Sequence, residues 1–77
     1  MWHENDDLKI LEAMGKFPQE FALTHDRTGR YRISQGASYV DSQGQVMLYT
    51  QRLQDGKWLD YAKGTPNELL IAMVRIA

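Results

Sequence analysis

Apolar and polar positions follow a helical period at both ends of the chain and a period of two between them. In the N-terminal segment the helical positions are Leu8, Leu11 and Met14, with Ile10 at their margin. Asn5 or Asp6 precedes them as a capping residue, and Gly15 follows as a stop. The pattern predicts a first amphipathic helix of about ten residues.

The C-terminal segment predicts a second helix with a wider apolar surface. Thr65 and Glu68 are spaced as a capping box, and Pro66 occupies the first helical position. From Leu69 onward only Arg75 is charged, so apolar side chains surround most of such a helix and require cover on more than one side. A strand is the alternative for this stretch, because it is rich in β-branched residues.

Turn residues divide the middle of the chain into alternating segments. Residues 26–29 and 41–44 each place an aspartate three positions before a glycine, and Asp55-Gly56 is typical of a two-residue hairpin turn. Three turns predict four strands in meander order, over residues 20–25, 30–40, 45–54 and 57–62. Gly36 predicts a bulge or bend within the second strand.

These elements predict an α+β fold with an N-terminal helix, a four-stranded antiparallel β-meander and a C-terminal helix packed on one face of the sheet. We expect residues 1–77 to form a single compact domain with residues 1–4 frayed. The two turns that share the Asp-x-x-Gly pattern are the only internal similarity in the sequence, and common turn chemistry accounts for it without a repeat.

The Asp55-Gly56 turn also predicts the register of the strands beside it. The expected opposite pairs are Leu53 with Trp58, Gln51 with Asp60 and Tyr49 with Ala62. We assign the more aliphatic face to the core; its members are Val46, Leu48, Leu59 and Tyr61. The other face then carries the candidate protein-interaction residues Met47, Tyr49, Leu53 and Trp58. A one-residue slip in register is the alternative, and it makes Trp58 a core residue.

Surplus apolar surface on the C-terminal helix predicts a second contact region. Leu70, Met73 and Val74 are its candidate residues, and a homodimer through this helix is one way to cover them. The chain is therefore expected to be a small protein-binding domain, an adaptor, regulator or inhibitor that acts by occlusion. Its size suits an inhibitor of phage or mobile-element origin.

Nucleic-acid binding is the alternative function. Its candidate residues are Arg27, Arg30, Arg32, Arg52 and Lys57, which alternate with tyrosines as in many nucleic-acid-binding sheets. The order of helix, antiparallel sheet and helix resembles double-stranded RNA-binding domains in outline. The lysine-rich entry to that family's last helix falls here on residues 64–68, where Lys63 is the nearest cation, so the resemblance is one of topology. The formal net charge of −1 also favours a protein partner.

No combination of residues requires catalysis. His25 and Asp26 are adjacent on a strand and point to opposite faces, so we expect a solvated turn histidine and no catalytic relay. The chain has no cysteine, its two histidines have no metal-ligand spacing, and no glycine-rich phosphate loop is present. We expect no enzyme activity, cofactor or metal. The absence of cysteine and of a long apolar run favours a cytoplasmic protein with no membrane partner.

Overall fold

The computed structural model describes residues 4–26 and 29–74 and shows two helices and antiparallel strands, which confirms the α+β class. The elements are helices α1 (Glu4–Met14) and α2 (Pro66–Ala72) and strands β1 (Ala22–Leu23), β2 (Arg30–Val40), β3 (Val46–Gln54), β4 (Lys57–Gly64) and β5 (Met73–Val74). Of the region expected to fray, Glu4 already belongs to α1, and residues 1–3 lie outside the described part. In the described ranges no helix is long and apolar enough to cross a lipid bilayer.

Strands β2, β3 and β4 form an antiparallel meander in that order. The β3–β4 turn has φ values of 52° at Asp55 and 77° at Gly56, the two positive values that a type I′ turn requires. In the β2–β3 turn, the Asp41 carboxylate accepts the Gln45 N–H at 2.9 Å, and Gly44 has a φ of 78°. The turn chemistry predicted at these two sites is confirmed.

A bulge interrupts β2, and a buried serine stabilises it. The register of β2 against β3 shifts between Ser34 and Tyr39, a segment that contains Gly36, so the predicted interruption is confirmed. The Ser38 hydroxyl donates to the Ser34 carbonyl at 2.9 Å and accepts the Tyr49 N–H at 3.4 Å. This buried hydroxyl provides partners that the interrupted ladder does not.

A second bulge lies in β4. The pairs nearest the turn are as predicted, Leu53 with Trp58 and Gln51 with Asp60. Tyr49, however, lies opposite Lys63, so its predicted pairing with Ala62 is wrong. The buried Thr50 hydroxyl donates to the Ala62 carbonyl at 2.6 Å and accepts the Ala62 N–H at 3.2 Å. These bonds hold an extra residue in β4, which a register counted from the turn does not include.

The first strand is shorter than residues 20–25 and does not belong to the meander. β1 pairs with β5 in a separate two-stranded sheet, and a single antiparallel bridge joins Phe21 to Tyr31 of β2. The Asp26 N–H donates to the Leu23 carbonyl at 3.0 Å, so a turn ends the strand directly after two residues. The predicted four-stranded meander is therefore a three-stranded meander beside a short strand pair.

The C-terminal segment combines the two structures expected for it. The Thr65 hydroxyl accepts the Glu68 N–H at 3.2 Å, which confirms the N-terminal cap of α2. After seven residues the helix gives way to β5, whose pairing with β1 satisfies backbone groups that a helix would satisfy internally. Leu69 is buried, whereas Ile71 is 83% exposed, so the apolar surface of α2 is only partly covered within the chain.

Two clusters of buried apolar side chains form the core. The first combines residues of α1, β3 and α2, namely Ile10, Ala13, Leu48 and Leu69. The second combines residues at β1 and β2, namely Phe21, Leu23 and Tyr31, with Met73 packed against it. Burial of a side chain of this size stabilises the fold by about 1.5–3 kcal/mol.

The face of α1 that is buried differs from the predicted one. Leu8 and Leu11 are 63% and 50% exposed, whereas Ile10 and Ala13 are buried. The buried stripe continues through Met14 and Phe17 at the helical spacing of three and four residues. This stripe is buried because it meets Leu48 of β3 in the first core cluster.

The predicted core face of the sheet is confirmed only in its central strand. Leu48 is buried and Val46 packs against the same cluster, but Leu59 and Tyr61 of β4 are 48% and 40% exposed. Strand β4 is at the edge of the meander, and the cluster that contains the helical side chains is centred on β3. The burial of side chains on this face therefore decreases from β3 towards the edge strand β4.

Candidate functional site

The sheet face opposite the core clusters is the candidate site, and we call it the outer face. The cross-strand pairs place these residues on it: Arg30, Arg32, Ser34, Tyr39, Met47, Tyr49, Gln51, Leu53, Trp58, Asp60 and Lys63. The core residues Ile33, Val46 and Leu48 all lie on the opposite face, where buried side chains of both helices join them. Among the described residues, no core cluster includes a member of the outer face.

The two bulges decide which residues reach the outer face around Tyr49. In an unbroken ladder, every second side chain of β2 and of β4 points to the same face of the sheet, so neither Tyr39 nor Lys63 would share the face of Tyr49. The shift in β2 places Tyr39 opposite Met47, and the shift in β4 places Lys63 opposite Tyr49. Sequence reasoning missed both residues, although Gly36 indicated the first bulge.

An arginine and a tryptophan meet across the central strand at one end of the outer face. The Arg32 guanidinium carbon lies 4.4 Å from the ring centroid of Trp58, within the range of a cation–π interaction. Arg32 Nε donates to Gln51 Oε1 at 2.9 Å, and Gln51 Nε2 donates to Asp60 Oδ1 at 3.3 Å. These contacts orient a cation and the largest aromatic side chain of the sheet.

A lysine and two tyrosines form a second unit at the other end. The ring centroids of Tyr39 and Tyr49 are 6.0 Å apart, and Lys63 Nζ lies 5.9 Å and 5.8 Å from them. Lys63 Nζ also lies 3.5 Å from the Tyr39 hydroxyl oxygen. The hydrogen bond to Tyr39 and the electrostatic effect of both tyrosines raise the pKa of Lys63, so this exposed amine is a cation at neutral pH.

The predicted protein-interaction residues fall into two separate groups. Four share the outer face, where each is half-buried: Met47, Tyr49, Leu53 and Trp58. The alternative in which a register slip makes Trp58 a core residue is wrong, because Trp58 pairs with Leu53 on this face. The other three lie outside this sheet: Leu70 is half-buried in α2, Met73 packs against the second core cluster, and Val74 pairs with Ala22.

The predicted nucleic-acid residues are not brought together. Arg30 and Arg32 lie on the outer face, and Arg30 pairs with Glu20 at 2.7 Å. Arg52 lies on the opposite face beside Asp26, at 3.4 Å, and Lys57 is exposed at the hairpin end of that same face. Arg27 lies outside the described residues.

A polar network surrounds Tyr31 at the other side of the sheet. The Tyr31 hydroxyl donates to Asp26 Oδ2 at 3.0 Å, and its ring meets Tyr61 edge-on at a centroid distance of 4.8 Å. His25 Nε2 lies 2.8 Å from the Tyr61 hydroxyl oxygen. Burial, followed by hydrogen bonds to Tyr61 and Asp26, raises the pKa of Tyr31 far above its ordinary range. Tyr31 thus remains protonated at neutral pH and serves this network as a structural donor.

His25 is exposed, as expected for a turn residue, and its partner is Tyr61 of the distant β4 strand. Asp26, its neighbour in sequence, accepts a hydrogen bond from the Tyr31 hydroxyl, and the ring of Tyr31 lies against that of Tyr61. The imidazole of His25 and the carboxylate of Asp26 are therefore linked through Tyr61 and Tyr31, an arrangement that sequence adjacency does not show.

An open cleft of about 390 Å³ lies between α1, the β2–β3 turn and the start of α2. Its lining includes both signs of charge, with Lys9 and Lys16 beside Glu12. In the described ranges no group of three His, Cys, Asp or Glu side chains is placed to hold a metal ion. The outer face, with its ordered cation and aromatic pairs, is the more specific candidate.

Comparisons with protein-family models, with curated proteins and with solved structures found no match to this chain.

Proposed function

We propose that this chain is a small protein-binding domain that acts without catalysis, by covering part of a partner's surface with its outer face. An adaptor, a regulator or an inhibitor would each work in this way. The observation that carries the proposal is the placement of Met47, Tyr49, Leu53 and Trp58 together on a sheet face outside both core clusters.

The composition of the outer face supports this function. Protein interfaces are enriched in tryptophan, tyrosine, methionine and arginine, and their most important contacts are aromatic or arginine anchors. Trp58 and Arg32 are already packed on each other, so part of the ordering that binding requires exists in the free chain.

The C-terminal helix belongs to the proposal as cover for the opposite sheet face and as a second contact surface. Ile71 is 83% exposed on α2 and Leu70 is half-buried, which supports a homodimer through this element. Light scattering over a range of concentrations tests this part: a mass that stays at that of one chain refutes the dimer and leaves the outer face unaffected.

Site-specific photo-cross-linking in the native host tests the outer face. A photoreactive residue replaces Gln51, at the centre of the outer face, or Leu59, which is 48% exposed on the opposite face and serves as the matched control. We expect a discrete, protease-sensitive adduct from position 51 and none from position 59. Equal labelling from the two positions, or no adduct from position 51, contradicts the proposal.

Single-stranded nucleic acid is the second candidate partner, because cations and aromatic rings share the outer face. Lys63 lies over two tyrosines and Arg32 over Trp58, and bases stack on such rings while cations neutralise phosphates. In the cross-linking experiment, this candidate predicts an adduct from position 51 that nuclease removes. Protease treatment should leave the cross-linked nucleic acid intact.

A further inference from the structure

We propose that the outer face binds an extended, acidic segment of a partner protein, with carboxylates that meet Arg32 and Lys63 and an apolar side chain between them. The inference rests on the proposed protein-binding function and specifies the chemistry of the partner.

The charge of the outer face favours an acidic ligand. Arg30 is paired with Glu20 at 2.7 Å, but among the described residues no carboxylate forms an ion pair with Arg32 or Lys63. Asp60 is the acidic side chain of this face, and it accepts a hydrogen bond from Gln51. Two cations without a carboxylate partner favour a ligand that supplies negative charge.

The spacing of these two cations along the sheet favours an extended ligand. The Arg32 guanidinium lies over Trp58, which is opposite Leu53, whereas Lys63 lies opposite Tyr49. Arg32 itself pairs with Gln51 and donates to its side chain, so two to four residues of β3 separate the two cations. At about 3.3 Å per residue this is roughly 7–13 Å along the strand, and an extended segment with acidic residues two to four positions apart matches it.

Apolar side chains on the outer face favour a protein segment over a polyphosphate. Leu53 and Met47 add aliphatic surface to the outer face, which a nucleic-acid backbone leaves unused. Tight nucleic-acid binding draws on many phosphate contacts, whereas this face presents two cations without a carboxylate partner and the chain carries a net charge of −1. A carboxylate-bearing segment with an apolar residue uses both features.

Selection from a random peptide display library against the immobilised full chain tests the inference. The selected peptides are sequenced, and their binding site is mapped by amide chemical shifts of the labelled protein. We expect enrichment of Asp and Glu around an apolar residue, and shifts concentrated on the outer face. Arg32→Glu and Lys63→Glu should each weaken binding about three- to tenfold, as expected for reversal of an exposed ion pair.

Two further variants make the test independent of any single substitution. Lys16→Glu makes the same change of charge at an exposed position on the cleft side, and it should alter binding less than twofold. Asp60→Asn removes the carboxylate of the outer face and should strengthen binding by about twofold. Amide spectra of each variant show whether it is folded.

Each outcome separates the inference from the function on which it rests. Peptides that bind the outer face without acidic enrichment, or that ignore the charge reversals, overturn the inference and leave protein binding in place. Peptides that bind elsewhere, together with no protein adduct from position 51, overturn both. A mixed-sequence single-stranded oligonucleotide that binds the outer face more tightly than the selected peptides replaces the proposed partner with nucleic acid.

Discussion

Replacement of Thr50 by valine should destabilise the chain and change the pairing of β4. Valine keeps the shape of threonine but removes the hydroxyl that donates to the Ala62 carbonyl at 2.6 Å and accepts its N–H at 3.2 Å. Thr50 is 1% exposed, whereas Ala62 is exposed, so water replaces part of what its backbone loses. The loss of these bonds should cost about 1–2 kcal/mol of unfolding free energy.

This cost is a substantial fraction of the stability of so small a domain. At about 0.05–0.15 kcal/mol per residue, a chain of this length has roughly 4–12 kcal/mol in total. A loss of about 1–2 kcal/mol should lower the melting temperature by roughly 4–16 °C. Thermal and urea unfolding followed by circular dichroism measure both quantities.

The same substitution should also weaken the β4 bulge and with it the outer face. Without the hydroxyl, the regular pairing of Tyr49 with Ala62 competes with the observed pairing of Tyr49 with Lys63. Cross-strand nuclear Overhauser effects report which pair is present. Thr24→Val is the matched control, because Thr24 is exposed and its hydroxyl takes part in no described hydrogen bond; its effect should be below about 0.5 kcal/mol. Equal stability of the Thr50 variant and the parent, with an unchanged register, would refute the reasoning.

Three further predictions test the core and the network around Tyr31. The raised pKa of Tyr31 means that, above about pH 10, the unfolded chain releases the hydroxyl proton while the folded chain retains it, so the unfolding free energy should fall by up to about 1.4 kcal/mol per pH unit. Urea titrations from pH 8 to 11 should show a shallower fall for Tyr31→Phe than for the parent, and identical slopes contradict the assignment. Gly29→Ala places a methyl carbon 3.1 Å from Asp26 Oδ2 and 3.2 Å from the Tyr31 ring and should cost about 1–3 kcal/mol, whereas a methyl at position 36 meets no described atom within 4 Å beyond its chain neighbours, so Gly36→Ala should change stability by less than about 0.5 kcal/mol. Similar melting temperatures for the two variants would rule out the steric argument. Leu48→Ala should cost about 2–5 kcal/mol, because this side chain is 0% exposed at the centre of the first cluster, and a loss below about 1 kcal/mol in chemical denaturation would show that the site collapses around the change.

Features that depend on neighbouring residues were predictable from the sequence. The Asp55-Gly56 turn, the Asp41 turn and the Thr65 cap each follow from the chemistry of a few consecutive residues, and all three are present. Asp26 has the same role as Asp41 in one respect, since its Oδ1 accepts the Gly29 N–H at 3.1 Å. A Cβ at position 29 would lie 3.1 Å from Asp26 Oδ2 and 3.2 Å from the Tyr31 ring, so the close approach of these groups favours glycine there.

The helix faces were less predictable, because α1 offers two apolar stripes and its sequence does not rank them. Ile10 and Ala13 are buried since their stripe meets Leu48, a contact partner far away in the chain. Leu8 and Leu11 have a helical spacing of their own but remain exposed. The choice between the stripes is made by the sheet.

The residues of the outer face likewise divide into those that the sequence predicted and those that only the tertiary structure places there. The pairing that follows from the hairpin turn placed Met47, Tyr49, Leu53 and Trp58 on one face, and the register next to the turn agrees with it. Tyr39 and Lys63 join that face only because two bulges change the side to which β2 and β4 direct their side chains. Each bulge depends on a buried hydroxyl with a partner in another part of the chain.

By itself, the sequence determined the α+β class, the three-stranded part of the meander, the Thr65 cap and the turns at Asp41 and Asp55, because these depend on interactions between residues close together in the chain. Only the tertiary structure decided that β1 pairs with β5, which stripe of α1 is buried and how two cations meet the aromatic rings of the outer face. Those outcomes are settled by competition between distant segments for the same backbone partners and the same buried surface. The Ser38 and Thr50 hydroxyls take part in that competition, since each satisfies backbone groups at a shift in register.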